Sequence, residues 1–298
     1  KKKEARPFDM SKYATRRIAL KVSYLGWDYY GFAAQNQNLP TVEARLVDAL
    51  LACRLITDVK TNRYTRCGRT DRGVSAAGQV IALDEIPWPT PADAAAAEAR
   101  DAEREIPYLD LLNRQLPSDI RVLAWSPVAS DFDARFNCQW RRYRYYFDAR
   151  GLDLERMRAA AALYVGKRDF RNFCQIDATK PAMNFERHIL ACNIVPVHSI
   201  DDVEVDANGG NDAPPTGRDG NARFYALDLR GTAFLWHQVR CMMAILFLVG
   251  QRLEPVDTVA AMLDPARLAG RPAYDMASEL PLVLHHCAFP DDALRWRY

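Results

Sequence analysis

Residues 235 to 250 read LWHQVRCMMAILFLVG, and after Arg240 the run is apolar on every side of a helix. A helix of this kind has no face to offer water and has to be covered all round. The apolar run from Cys241 to Gly250 is too short to cross a bilayer, and Arg240 and Arg252 close it. The chain is therefore expected to pack a domain around this segment. Arg240 enters that interior with a charge it cannot lose, and a buried charge needs a partner. A structural ion pair or snorkelling at the helix end would serve. Alternatively, Arg240 meets a carboxylate at the floor of a cleft.

Residues 67 to 83, CGRTDRGVSAAGQVIAL, set Asp71 between Arg69 and Arg72, with Gly73, Gly78 and the apolar run Val80 to Leu83 behind them. Positive charge nearby favours the ionised carboxyl, so Asp71 is expected to stay charged. Taken alone, the stretch also fits a polar turn entering a strand, with surface ion pairs. Asp71 is the best candidate to meet Arg240, because it too sits beside an apolar strand. A third segment, Trp140 to Asp148 (WRRYRYYFD), reads as a strand. Period two puts Arg141, Tyr143, Tyr145 and Phe147 on one face, and Trp140, Arg142, Arg144 and Tyr146 on the other. A ring among arginines suits stacking on a nucleobase while guanidinium groups hold phosphates. Half-buried sheet aromatics fit the same letters.

A chain of 298 residues, 49% hydrophobic and 26% charged, has the make-up of a soluble globular protein of one or two domains. Its net charge of +2 does not announce nucleic-acid binding, but the basic residues cluster. Lys1, Lys2, Lys3, Arg6, Lys12, Arg16, Arg17 and Lys21 lie near the start, and Arg135, Arg141, Arg142, Arg144 and Arg150 form a second group. The two groups could make one phosphate-binding patch, or a basic tail and a solvated strand face. The seven cysteines are odd in number, widely spaced and without a CxxC pair. That argues against a disulfide framework or a zinc site and suits a reducing, intracellular setting. No signal peptide is visible. Cytoplasm or nucleus is expected, and an organelle stays open because a leader could precede Lys1.

The loop from Gly68 to Gly78 lacks the GK[ST] of a phosphate-gripping loop, and neither GxSxG nor HExxH occurs. His285 and His286 are expected on opposite faces of a strand, where they would not chelate together. His237, three residues before Arg240, is expected to share its helix face as a supporting group.

The pattern of elements is a strand from Arg17 to Gly26, a helix capped by Thr41 and running to about Arg54, a helix from Ile106 to Leu116, and a strand from Ile120 to Val128. Beyond Asp148 it predicts a helix from Leu152 to Val165, strands at Ile189 to His198 and Phe224 to Leu229, helices at Leu235 to Gly250 and Val256 to Leu263, and a last strand from Pro281 to Phe289. Residues 87 to 105 and 201 to 222 read as insertions. The expected division is a basic leader (1–16), an N-terminal domain (17–128) and a C-terminal domain (129–298). The class is α/β (α+β): two mixed units whose sheets can join.

Together these segments resemble the TruA family of tRNA pseudouridine synthases. CGRTDRGVSAAGQV is similar to that family's catalytic segment, FDARFNCQWRRYRYYF to its FxARF…RxYxY segment, and GTAFLWHQVRCMMAILFLVGQ to the segment in which an Arg follows FLxHxV. VSYLGWDYYGFAAQNQ matches its opening strand and loop, and the motif order holds over roughly residues 17 to 290. FLWHQVRCMM, the stretch RNFCQIDATKPAMNFERHI and the leader RPFDMS look most like the eukaryotic branch that modifies uridines 38 and 39 of the anticodon arm.

The resemblance implies two α/β domains with a joined, largely antiparallel sheet and a basic cleft between them. It implies an isomerisation that needs no cofactor and no metal. Asp71 would be the catalytic carboxylate, as nucleophile or as base in an elimination. Tyr143 would stack on the target uracil. Arg240 would pair with Asp71 and hold it ionised, and Arg69 would help take the base out of the helix. Arg16, Arg17, Arg66, Arg72, Arg141, Arg142, Arg144 and His237 are expected to contact RNA. The implied partners are the tRNA anticodon stem-loop and a second copy of the chain, with no membrane. A synthase with broader RNA targets, or a non-catalytic tRNA-binding protein on the same scaffold, is the alternative.

Overall fold

The computed structural model describes residues 14–35, 39–88, 106–176, 183–197 and 222–298. The leader up to residue 13, and nearly all of the two segments read as insertions, lie outside the described residues. The chain divides into two compact units. The first takes residues 1–70, 78–138 and 289–298, and the second takes 71–77 and 139–288.

The first unit contains β1 (Ala14–Tyr24), α1 (Val42–Ala52), β2 (Thr65–Arg66), most of β3 (Ser75–Trp88), α2 (Tyr108–Gln115) and β4 (Ile120–Pro127). β1 runs antiparallel to β4, from Ile18 opposite Pro127 to Tyr24 opposite Ile120, with a bulge after Lys21. The Thr41 cap is as expected: its backbone is extended and its side chain accepts the Ala44 N–H at 3.3 Å. α1 stops short of Arg54, which takes a left-handed φ of 57°, while the Leu55 N–H reaches back to the Leu50 carbonyl at 3.0 Å.

The second unit is built on a sheet in the order β9 (Leu282–Ala288), β5 (Trp140–Asp148), β8 (Phe224–Gly231), β7 (Glu186–Val197) and β6 (Gly166–Asp169), each pair antiparallel. The start of β3 adds a short parallel pairing, Ser75 opposite Val283 and Ala76 opposite Leu284. The helices are α3 (Leu154–Ala162), α4 (Gln238–Gly250) and α5 (Thr258–Leu263). Their buried faces form one core with Tyr145 and Phe147 of β5 and Leu227 and Leu229 of β8. α4 is covered as its composition requires, and it approaches α3 closely. A Cβ on Gly250 would stand 2.7 Å from Met157 Sδ.

α4 begins at Gln238 and not at Leu235. His237 adopts a left-handed φ of 60°, which breaks the helical run, and the buried Gln238 side chain turns back to accept the Leu235 N–H at 2.8 Å. His237 therefore precedes the helix. The two neighbouring histidines differ from expectation as well. The register of β5 against β9 slips between Arg142 and Tyr143, because His286 faces Arg142 while Leu284 faces Tyr143. This bulge makes His285 an extra residue and turns both imidazoles to the face of Arg142 and Arg144. There burial drives His285 down to about 3, with the charges of Arg144 and Arg142 adding to it, and the His286 ring lies 5.4 Å from Trp140.

Candidate active site

Asp71 opens the turn that leads into β3. Its carbonyl accepts the Val74 N–H at 3.2 Å, and Gly73 takes a φ of +77°. A Cβ on Gly73 would also lie 2.6 Å from Glu279 Cγ, so backbone and space both call for glycine. The Asp71 side chain is 30% exposed. Burial raises its carboxyl from 3.8 to about 6, against the Arg240 charge and a hydrogen bond from the Trp236 side chain. The expectation that neighbouring arginines simply hold it ionised is thus corrected. Desolvation outweighs them, and the carboxylate form prevails only above about pH 6.

The residues before α4 approach this carboxyl. His237 Nε2 lies 3.7 Å from Asp71 Oδ2, beyond hydrogen-bond reach. Burial pushes His237 down to about 4, and the charges of Arg240 and Arg271 push the same way, against Glu279. The imidazole is neutral at neutral pH, so the contact is not an ion pair. Its Nδ1 is buried without a hydrogen-bond partner. The half-exposed Trp236 ring leans on His237, with centroids 4.7 Å apart.

Arg240 has a different partner from the one expected. Its Nη2 meets Glu279 Oε2 at 2.9 Å, and its Nε donates to the Ala277 carbonyl at 2.8 Å. Asp71 feels the Arg240 charge only through space. The reason lies in the segment before β9, which runs past the first turn of α4 and supplies both acceptors. Glu279 was missed in the sequence because it lies in an irregular stretch (DMASEL) with no periodicity to place it. Its one signal was a carboxylate just before an apolar strand, the same signal that singled out Asp71.

Tyr143 stands on β5 opposite Leu284, and Leu284 stands opposite Ala76, so the tyrosine is two strands, roughly 10 Å, from the start of β3. Its ring meets Phe234 edge-on at 5.0 Å and 83°. Tyr145, two residues on, is buried beneath. Burial raises its hydroxyl to about 12, Arg240 opposes this and Glu279 adds to it. The second unit therefore assembles Asp71, Trp236, His237, Arg240 and Glu279, with Tyr143 and Tyr145 on the adjoining sheet. One carboxylate that ionises near neutrality, faces a neutral imidazole and sits in the field of a held guanidinium can act as a nucleophile or as a base.

The other expected RNA-contacting arginines are largely committed within the protein. Arg142 and Arg144 both bind Asp228, at 2.5 and 3.0 Å. Burial raises Asp228, but these two partners more than offset it and hold the carboxyl low. Arg141 donates to the Thr232 carbonyl at 2.8 Å. In the first unit, Arg16 donates to the Tyr108 hydroxyl at 2.9 Å and lies 4.7 Å over the Trp125 ring. The Arg17 side chain, 4% exposed, meets Asp84 at 2.7 Å and the Phe132 carbonyl at 2.6 Å. Arg66 pairs with Glu43. Arg69 and Arg72 are exposed. Among the described residues, no group of three or more His, Cys, Asp or Glu side chains could hold a metal ion, and no helix is long and apolar enough to cross a membrane.

A family profile described as tRNA pseudouridine synthase matches residues 160–290. A tRNA pseudouridine(38/39) synthase of Saccharomyces cerevisiae is 43% identical over 295 residues, covering 97% of this chain and 61% of the relative. This chain thus spans about three-fifths of that relative's length. A probable tRNA pseudouridine synthase of Caenorhabditis elegans is 35% identical, covering 100% of this chain and 73% of the relative. A tRNA pseudouridine synthase A of Methanothrix thermoacetophila is 34% identical over 256 residues, covering 86% and 78%. With a third of positions identical along most of both partners, from an animal and from an archaeon, the chain belongs to the tRNA pseudouridine synthase family.

Proposed function

We propose that this chain isomerises uridine to pseudouridine in the anticodon arm of tRNA, at positions 38 and 39, with Asp71 as the reacting carboxylate. In that reaction the N1–C1′ bond breaks, the uracil turns, and a C5–C1′ bond forms. The proton leaving C5 is balanced by one gained at N1, so no redox partner is needed. Asp71 would attack C1′ or assist elimination at the sugar. The observation that carries the reading is the placement of Asp71, a part-exposed carboxylate at the turn before β3, with Trp236 and His237 beside it and the Arg240 charge acting on it.

Tyr143 would stack on the turned-out base, whose unstacking costs about a few kcal/mol. Arg69 and Arg72 are exposed and would meet the RNA backbone or brace the gap left by the base. Action as a homodimer on one tRNA, within a reducing compartment, belongs to the same proposal. The choice of positions follows the names of the yeast and human relatives, both tRNA pseudouridine(38/39) synthases.

The test is a pseudouridine map of an unmodified tRNA carrying uridines at 38, 39 and 40, incubated with this protein alone. Pseudouridine at 38 or 39 only is the expected result. Modification reaching 40 would keep the chemistry and broaden the target. Tight binding without any pseudouridine would favour a tRNA-binding role instead.

A further inference from the structure

We infer that Thr70 is a positioning residue for Asp71, gripped by buried groups of the first unit so that the peptide from which the carboxylate projects is fixed; the inference rests on the pseudouridine synthase reading of the site. The grip comes from the opening segment VSYLGWDYYGFAAQNQ. The Tyr24 hydroxyl, at the end of β1, meets Thr70 Oγ1 at 2.7 Å, and the Phe32 N–H donates to the Thr70 carbonyl at 3.1 Å. Tyr24, Phe32 and Thr70 are all buried, so contact with RNA does not explain the arrangement. The Tyr24 and Phe32 ring centroids lie 5.7 Å apart, and the Phe32 carbonyl accepts the Glu43 N–H at 2.9 Å in the first turn of α1, which anchors the donor itself. Two residues before Thr70, the buried Gln79 of β3 holds Gly68. Its amide imitates a strand pairing, with Nε2 donating to the Gly68 carbonyl at 3.0 Å and Oε1 accepting the Gly68 N–H at 3.2 Å.

The chemical consequence follows from geometry. The backbone is held at Gly68 and again at Thr70, and Arg69 between them keeps an exposed side chain. Asp71 follows Thr70 by one peptide bond, and its own carbonyl is closed into the turn by the Val74 N–H. The Thr70 carbonyl lies in the peptide plane that carries the Asp71 nitrogen. A tilt of that plane swings the Asp71 side chain, and a reacting group displaced by about 1 Å can lose roughly a hundredfold in rate. Such a tilt leaves the surface that meets tRNA untouched, because Tyr24 and Thr70 are buried. The loss therefore belongs to kcat and not to KM.

The experiment compares Thr70→Val, Tyr24→Phe, the two together, and Thr70→Ser, which keeps the hydroxyl. Pseudouridine formation is read with kcat and KM separated, and amide hydrogen exchange at Phe32, followed by NMR, reports the bond to the Thr70 carbonyl. Thermal unfolding checks that each variant is folded, and Tyr24→Phe, which alters no atom of the segment carrying Asp71, carries the test if Val at 70 does not fold. Thr70→Val and Tyr24→Phe should each lose about tenfold or more in kcat, with the KM for tRNA within about twofold. Thr70→Ser should stay within about threefold of wild type. The double variant should be about as slow as the singles, because all three remove one and the same contact. Folded Val and Phe variants with wild-type kcat, a loss that appears in KM alone, or a Ser variant as slow as Val overturns the inference. If the wild type forms no pseudouridine, the activity reading falls and exchange at Phe32 decides. Faster exchange in the Val and Phe variants but not in Ser upholds the grip on Thr70, and unchanged exchange overturns it.

Discussion

His237 and Asp71 face each other at 3.7 Å with their proton affinities in reversed order, the imidazole at about 4 and the carboxyl at about 6. Burial sets both, because it penalises whichever form is charged. Between these values both groups are neutral, and above pH 6 only Asp71 is charged. The acid limb of kcat/KM should therefore lie near pH 6, with the slope of one proton, and belong to Asp71. His237→Gln should leave it within about half a unit, since a neutral group replaces a neutral group. Rate profiles of wild type and variant decide this. A limb that disappears with His237 would reassign it.

Asp71→Asn should abolish turnover while tRNA affinity stays within a few-fold, measured by product mapping and by direct binding. It should also stabilise the protein. The folded carboxyl binds its proton more tightly than the unfolded one, so stability falls as pH rises from about 4 to about 6 and stays lowered above that. The asparagine variant escapes this loss. Urea unfolding at pH 7.5 should show it more stable by about 1–3 kcal/mol, with the difference gone by about pH 4. A variant less stable at pH 7.5 would mean that burial does not dominate at this carboxyl.

Much of the architecture could be read from the letters. Trp140 to Asp148 is a strand with its two faces as period two assigns them, because Tyr145 and Phe147 enter the core while Arg142 and Arg144 share Asp228 on the other side. The all-apolar stretch after Arg240 is buried as its composition demands. What the letters could not carry was partner choice over long sequence separations. Nothing local tells Arg240 that Glu279, and not Asp71, will lie within reach. Arg17 likewise looked like part of a basic cluster until the fold brought Asp84 and Phe132 around it. The bulge that puts His285 and His286 on one face is set by pairing with β5, which a single strand's alternation cannot reveal.

Arg17 separates a phosphate contact from a brace. Its side chain is buried and bound to Asp84 and to the Phe132 and Arg63 carbonyls. Arg17→Ala should cost about 1–3 kcal/mol in denaturant unfolding, because the Phe132 carbonyl loses its donor and Asp84 loses one of its two arginine partners and keeps Arg63. Adding Asp84→Asn should recover part of that loss. The salt dependence of tRNA binding, measured on folded variant, should keep the wild-type slope. A slope lower by about one unit with stability intact would make Arg17 a phosphate contact after all.

Gly73→Ala tests the interlock between the Asp71 turn and Glu279. At a φ of +77° an alanine is strained by about 1–2 kcal/mol, and its Cβ would press on Glu279 Cγ at 2.6 Å. The carboxylate end of Glu279 is tied to Arg240, so the side chain can yield only by loosening that ion pair. Stability should fall by about 1–3 kcal/mol, and kcat should fall more steeply than that loss implies, tenfold or more by the order of magnitude of a misplaced reacting group. Gly73→Asn separates the two causes. Asparagine accepts a left-handed backbone more readily yet carries the same Cβ. If crowding against Glu279 is what matters, the Asn variant recovers stability but remains slow. If backbone strain alone matters, stability and kcat recover together in Asn, and the interlock has no part in positioning Asp71.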